Sequence, residues 1–91
     1  MILWEKEALK DRGKLFEYLF QFNPSAAEKT DDILIRKIEN LLHQPLIGIE
    51  RENLKGRLLI TPEISMLVSY YIDKKDIQIL RILHMRQKFP I

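Results

Sequence analysis

The sequence predicts an α+β protein with two layers. An N-terminal strand and an antiparallel helical hairpin precede an antiparallel sheet of three to four strands, in the order β-α-α-β-β-β. Two observations predict this class: apolar residues recur at helical spacing up to about residue 46, and with a period of two in the remainder. With 91 residues the chain is sufficient for one small domain, and we expect residues 1–91 to form it.

The first element is a short apolar run, Met1–Trp4, which favours a strand. A helix follows from Glu5 to about Phe22, because its apolar residues recur every three or four positions. These are Ala8, Leu9, Leu15, Phe16, Leu19 and Phe20. The polar residues Lys10, Asp11, Lys14, Glu17 and Gln21 fall largely on the other side.

A second helix is predicted to begin directly afterwards. Asn23 can cap it, and Pro24 suits the first helical position, where a missing N–H costs nothing. Its apolar stripe consists of Ala27, Leu34, Ile38, Leu41 and Leu42. The helix should end before Pro45, because the residue preceding a proline is disfavoured in helical geometry. Two helices joined by so short a turn form an antiparallel hairpin.

Three runs in the second half are typical of strands, since they are rich in Ile, Val, Leu and Tyr. They are "GRLLIT", "ISMLVSYYI" and "IQILRILH". Short polar connections separate them, so we expect an antiparallel meander, with Gly48 and Gly56 at backbone turns. The helical hairpin is the apolar surface available to cover one face of this sheet.

Composition excludes several classes of protein. With 46% hydrophobic and 31% charged residues, the chain is typical of globular domains, and no apolar run is long enough to cross a membrane. Charges directly after Trp4 argue against a signal peptide. The chain has no cysteine, and His43 and His84 are far apart, so we expect no metal, no other cofactor and a cytoplasmic location.

Charge is unevenly distributed along the chain. Residues 1–54 contain 8 Lys and Arg against 10 Asp and Glu, whereas residues 55–91 contain 7 against 3, which gives −2 and +4. The basic second half permits an acidic partner without identifying one.

The last strand presents the main puzzle. Alternation places Ile77, Ile79, Arg81 and Leu83 on one face, and Gln78, Leu80, Ile82 and His84 on the other. Both faces are mostly apolar, so the strand should be central in the sheet. A guanidinium on such a face is costly unless it is paired, and we expect Arg81 to pair with a carboxylate such as Glu63 or with helix-end carbonyls. Beyond the strand, Arg86 and Lys88 are typical of solvated charges.

The second half of the chain resembles the RelE/ParE superfamily of bacterial toxins. The resemblance lies in three segments, "GRLLI", "LVSYYID" and "IQILRILHMRQKFP", which are separated by six and by three residues. The ending "ILRILHMRQKFP" is similar to the ParE-type ending, and Arg57 in "LKGRLLI" stands where the family has an arginine. The resemblance implies a toxin of a type II toxin-antitoxin module, held inactive by a cognate antitoxin. The ParE-like branch inhibits DNA gyrase, and the RelE-like branch cleaves messenger RNA on the ribosome.

Cleavage of RNA needs a base, an acid and cations that stabilise the developing charge. A nuclease here would use Glu63 as base, His84 as acid, and Arg86 with Arg57 and Arg81 as cations. However, RelE-like nucleases usually carry an arginine where this chain has Met66. The sequence also ends at Ile91, so we expect no additional C-terminal helix. Both departures favour the ParE-like branch, with the RelE-like nuclease and an inactive adaptor as alternatives.

The resemblance also guides expectations for partner binding. The predicted target-binding residues are Arg57, Tyr71, Arg81, Arg86 and Lys88. We expect Arg81 to be structural and Arg86 to be functional, because Arg86 lies past the end of the strand. An antitoxin segment is expected across the sheet and the helical hairpin, where it would cover Tyr70, Tyr71 and Phe89.

Overall fold

The computed structural model describes residues 1–51 and 56–86. Its helices and strands are β1 (Ile2–Trp4), α1 (Lys6–Phe22), α2 (Pro24–Glu39), β2 (Ile49–Glu50), β3 (Arg57–Thr61), β4 (Met66–Asp73) and β5 (Asp76–His84). Short 3-10 turns cover Asn40–Leu42 and Pro62–Ile64. The predicted class and the order of the main elements are confirmed.

The strands form one sheet in the order β1-β5-β4-β3-β2. β1 is parallel to β5, and the other neighbours are antiparallel. The sheet therefore has five strands and is mixed, whereas three to four antiparallel strands were expected. β2 has only two residues, too few to produce a period-of-two signal, and strand direction cannot be deduced from alternation. β5 lies between β1 and β4, as predicted for a central strand, but β1 flanks it only along Ile77–Ile79.

The helical hairpin forms as predicted. The Asn23 side chain accepts a hydrogen bond from the Ala26 N–H at 3.1 Å, and Pro24 occupies the first turn of α2. The Arg12 guanidinium bridges the two helices, donating from Nε and Nη2 to the two Asp31 carboxylate oxygens at 2.8 Å each. The hydrogen bonds to Asp31 raise the pKa of Arg12 above its ordinary value. The bridge fixes α1 against α2.

The core lies between the hairpin and one face of the sheet. Its buried residues are Ala8, Leu34, Ile38, Leu41, Leu59, Met66, Val68, Tyr70, Ile77, Ile79 and Ile82. Three residues assigned to the helical stripes are instead largely exposed: Leu9 at 51%, Phe20 at 46% and Leu42 at 48%. The face of α1 that packs on the core consists of Ala8, Leu15 and Leu19 and is narrower than the predicted stripe. Leu9 and Phe20 therefore lie outside the core.

A β-bulge interrupts the pairing of β4 with β5. Ser69 pairs with Arg81 and Tyr70 pairs with Ile79, which leaves Leu80 as the additional residue of β5. As a result Ile79 and Ile82, three positions apart, are both buried, while Arg81 is exposed. The predicted alternation of faces is therefore wrong beyond Ile79. The bulge moves Arg81 out of the apolar surroundings that made its position costly.

Tyr70 is fully buried, contrary to the expectation that it would be exposed. Its hydroxyl donates to the Pro45 carbonyl at 2.7 Å and accepts from the Gly48 N–H at 2.9 Å. A Cβ on residue 48 would lie 2.5 Å from that hydroxyl, so the contact requires glycine. Burial raises the pKa of Tyr70, because the phenolate would lose its hydration. This tyrosine fastens the segment before β2 to the sheet.

Candidate functional site

A groove of about 590 Å³ runs between α1 and the C-terminal half of β5. Its lining residues are Asp11, Lys14, Leu15, Tyr18, Arg81, Ile82, Leu83, His84 and Arg86. The α1 members are spaced by three, one and three residues, which places them on one face of the helix. Two aliphatic side chains of β5 lie between charged ones, so the groove combines apolar surface with charge.

Asp11 joins the helix to the strand at this groove. Arg81 donates to it twice, from Nε at 2.7 Å and from Nη2 at 3.1 Å, and the Ile82 N–H donates at 3.0 Å. These charge-assisted hydrogen bonds raise the pKa of Arg81, which therefore stays cationic. Pairing of Arg81 with a carboxylate was predicted, but the choice of Glu63 is wrong. Glu63 instead forms an ion pair with Lys37 Nζ at 2.7 Å.

One edge of β5 is open beside the groove. β1 pairs only with Ile77–Ile79, and the last hydrogen bond of this pairing runs from the Glu5 N–H to the Ile79 carbonyl. Beyond Ile79, no strand within residues 1–51 and 56–86 pairs with this edge. A side chain, that of Asp11, satisfies the Ile82 N–H there.

His84 lies at the end of β5 and is half-buried. Its Nδ1 accepts a hydrogen bond from the Arg86 N–H at 3.2 Å. This contact ties the imidazole to the backbone just beyond the strand.

Arg86 follows the strand as an exposed residue and lines the groove. With Lys14 and Arg81 it makes three cations against the single carboxylate of Asp11, so the groove carries a formal charge of +2 when His84 is neutral. Lys88 and Phe89, two further expected contact residues, lie outside the described residues.

Two other predicted target-binding residues lie away from the groove lining. Arg57 is half-buried and donates from Nη1 to the Gly48 carbonyl at 2.8 Å and to the Leu46 carbonyl at 3.3 Å. It therefore holds the same segment that Tyr70 fastens. Tyr71 is half-buried on β4, where it pairs with Gln78.

The structure thus assembles three of the candidate residues, Arg81, His84 and Arg86, and leaves Glu63 out of the groove. Met66 begins β4, is 2% exposed and packs in the core, directly across from His84 in the pairing register. Sequence reasoning did not identify Asp11, Lys14 and Tyr18 as site residues. Their shared helical face was a usable signal, but nothing in the sequence indicated that β5 would lie beside it.

Among the described residues, no group of three or more His, Asp or Glu side chains is arranged to hold a metal ion. Of the helices in residues 1–51 and 56–86, none has the length and apolar character needed to span a membrane.

Comparison with known proteins defines the family. No curated protein matches the sequence. Among solved structures, one described as the chromosomal ParDE TA system from P. aeruginosa superposes with a TM-score of 0.81 at 20% identity, covering 93% of this chain and 95% of that chain. Such a likeness supports the fold alone. Residues 2–89 match the family described as ParE toxin of type II toxin-antitoxin system, parDE, so the chain belongs to the ParE toxin family.

Proposed function

We propose that this ParE-family protein acts by inhibiting DNA gyrase, that it does not cleave RNA, and that a cognate ParD-type antitoxin neutralises it. Membership of the family supports the toxin role. The observation that carries the non-nuclease choice is the dispersal of the catalytic candidates: Glu63 is paired with Lys37 and does not line the groove that contains His84.

The chemistry of RNA cleavage explains why this dispersal matters. A base and an acid must both reach one phosphodiester, and cations must approach the developing charge. The Arg81 guanidinium is already engaged by Asp11, and a buried thioether, Met66, stands where the nuclease branch has an arginine. His84 accepts a hydrogen bond at Nδ1 from the Arg86 N–H. Within residues 1–51 and 56–86, the predicted base Glu63 and the predicted acid His84 are therefore not gathered in one groove.

The alternative is a RelE-like messenger RNA endonuclease acting on the ribosome. One observation favours it: Arg81, His84 and Arg86 line the same groove. A ribosome could supply groups that the isolated chain lacks. Mapping of messenger RNA ends in arrested cells distinguishes this alternative from the gyrase proposal.

We propose that the groove is the binding site for a segment of the antitoxin. Its apolar surface, formed by Leu15, Ile82 and Leu83, offers burial to aliphatic side chains, and its charge of +2 attracts carboxylates. The open edge of β5 also offers backbone groups for strand addition. We therefore expect an acidic, partly apolar segment to lie between α1 and β5.

Expression in a bacterial host tests these proposals together. The protein should arrest growth, and co-expression of the antitoxin encoded beside it should restore growth. Plasmids from arrested cells should be relaxed, while messenger RNA should remain uncut. Unimpeded growth without antitoxin would support an inactive adaptor instead.

Arg86→Ala is the first variant to examine in this assay. The side chain is exposed and makes no ion pair among the described residues, so the melting temperature should change by less than about 2 °C. Toxicity should nevertheless fall, because a cation of the groove is lost. Arg36→Ala, on an exposed position of α2, is the matched control and should remain fully toxic. Full toxicity of Arg86→Ala would remove Arg86 from the binding surface.

A further inference from the structure

The outer face of α1 carries a second apolar stripe, separate from the groove. Its members are Leu9, Gly13, Phe16 and Phe20. Leu9 and Phe20 are 51% and 46% exposed, and the rings of Phe16 and Phe20 lie 5.7 Å apart between centroids. Leu9 and Phe20 are left largely uncovered by the described residues, and Phe16 between them is half-buried.

Gly13 is the unusual member of the stripe. Glycine inside a helix costs roughly 1 kcal/mol relative to alanine, and such a position usually reflects a packing requirement. Residues 1–51 and 56–86 impose no such requirement, because a Cβ built on Gly13 would meet none of their atoms within 4 Å. The missing side chain therefore leaves room for a group from outside the chain.

The spacing of the stripe points to the partner. Successive members are separated by four, three and four residues, which is the seam of a helical pair that packs knobs into holes. In an antiparallel pair of identical helices, the first residue of the stripe faces the last residue of the stripe on the second copy, and the two inner residues face each other in the same way. Leu9 then lies across from Phe20 of a second copy, and the space above Gly13 receives Phe16 of that copy.

Flanking charges complement this arrangement. Lys10 and Glu17 lie on the same side of the stripe, seven residues apart. In an antiparallel pair of identical helices, the same flanks meet, so Lys10 of each copy faces Glu17 of the other. In a parallel pair each residue of the stripe would instead face its own counterpart, so Gly13 would meet Gly13 and the space above it would stay unfilled.

We propose that α1 forms an antiparallel, two-fold symmetric contact with α1 of a second copy of this chain, through Leu9, Gly13, Phe16 and Phe20. The contact uses the outer face of α1 and leaves the groove open, so it does not depend on the proposed target. Only one helix per copy contributes, so the dimer is weak, with a dissociation constant on the order of micromolar or higher.

Sedimentation of the purified chain over a wide concentration range measures this equilibrium. Phe20→Glu and Lys10→Glu should each raise the dimer dissociation constant, by roughly tenfold or more, because each places a charge against apolar or acidic surface. Lys10→Glu combined with Glu17→Lys should restore association. Lys29→Glu, on an exposed position of α2, is the control and should leave the constant unchanged.

Cross-linking tests the geometry. The chain has no cysteine, so introduced thiols are unique. Leu9→Cys with Phe20→Cys should form covalent dimers on oxidation, since the two positions are about 16 Å apart along one helix and cannot bridge within it. Either single variant should remain uncross-linked. A chain that stays monomeric at roughly millimolar concentration, or single variants that cross-link as well as the double one, would overturn the proposal.

Discussion

Asp11 is the residue on which the attachment of α1 to β5 depends. Its carboxylate accepts from the Arg81 guanidinium and from the Ile82 N–H, and the side chain is only 14% exposed. Arg81 is about half exposed, and its guanidinium can be hydrated when Asp11 is absent. The Ile82 N–H is less accessible and would be left without this acceptor. The two partners of the ion pair should therefore be unequal in their effect on stability.

We predict that Asp11→Ala lowers the free energy of unfolding by about 2 kcal/mol and Arg81→Ala by about 1 kcal/mol, because only the first removes the acceptor of a backbone N–H. Urea denaturation of both variants measures the difference. Asp32→Ala, at an exposed position of α2, controls for helix propensity and should change stability by less than about 0.5 kcal/mol. Equal melting of wild type and Arg81→Ala would contradict the structural role of Arg81.

Tyr70 should make stability depend on pH in the alkaline range. Folding favours its protonated phenol, since its pKa is raised in the folded state. Its contribution is complete below the unfolded-state pKa of about 10 and is lost as the pH rises through the folded-state pKa. Tyr70→Phe removes both hydroxyl hydrogen bonds and should cost about 1–2 kcal/mol at neutral pH.

The measurement is urea unfolding of wild type and Tyr70→Phe at a series of pH values from about 8 to 11. The stability difference between them should narrow above about pH 10. Tyr18→Phe, at an exposed position, is the control for removing a tyrosine hydroxyl that is not buried. A constant difference across the series would mean that the folded state does not retain the Tyr70 proton as the hydrogen bonds require.

Among the elements, β5 has the closest connection to function. The bulge at Leu80 rotates the strand, so that Ile82 enters the core and Arg81 reaches Asp11 at the rim of the groove. Alternation in the sequence correctly indicated a central strand but could not indicate the bulge, because a bulge arises from pairing with β4. The predicted faces of Arg81 and Ile82 were therefore wrong. The predicted pairing of Arg81 with a carboxylate was correct.

The turn between the helices was predictable in detail, because Asn23 and Pro24 act through local geometry. We expect Asn23→Ala to lower the free energy of unfolding by about 1 kcal/mol, since the Ala26 N–H would lose its side-chain acceptor. Asn23→Asp retains an acceptor and should be close to wild type. Thermal unfolding of the two variants provides the comparison. Equal destabilisation by both would show that the cap contributes little.

At the scale of the whole molecule, local patterns identified the hairpin and the three long strands, and non-local contacts decided the rest. β2 is too short to show periodicity, and only the fold reveals that Tyr70 and Arg57 hold the segment before it. The groove was found in part: its β5 residues were singled out, whereas Asp11 and Lys14 become site residues only because α1 packs beside that strand.

The central claim is that this ParE-family protein inhibits gyrase and is not a nuclease. Its most direct test is a supercoiling assay with purified gyrase and relaxed plasmid, with messenger RNA integrity followed in a parallel cell-free translation reaction. Wild type and His84→Gln should both inhibit supercoiling to a similar extent and leave the RNA intact. Ribosome-dependent cleavage that falls by roughly 10²–10⁴-fold in His84→Gln, as loss of a general acid requires, would contradict the claim.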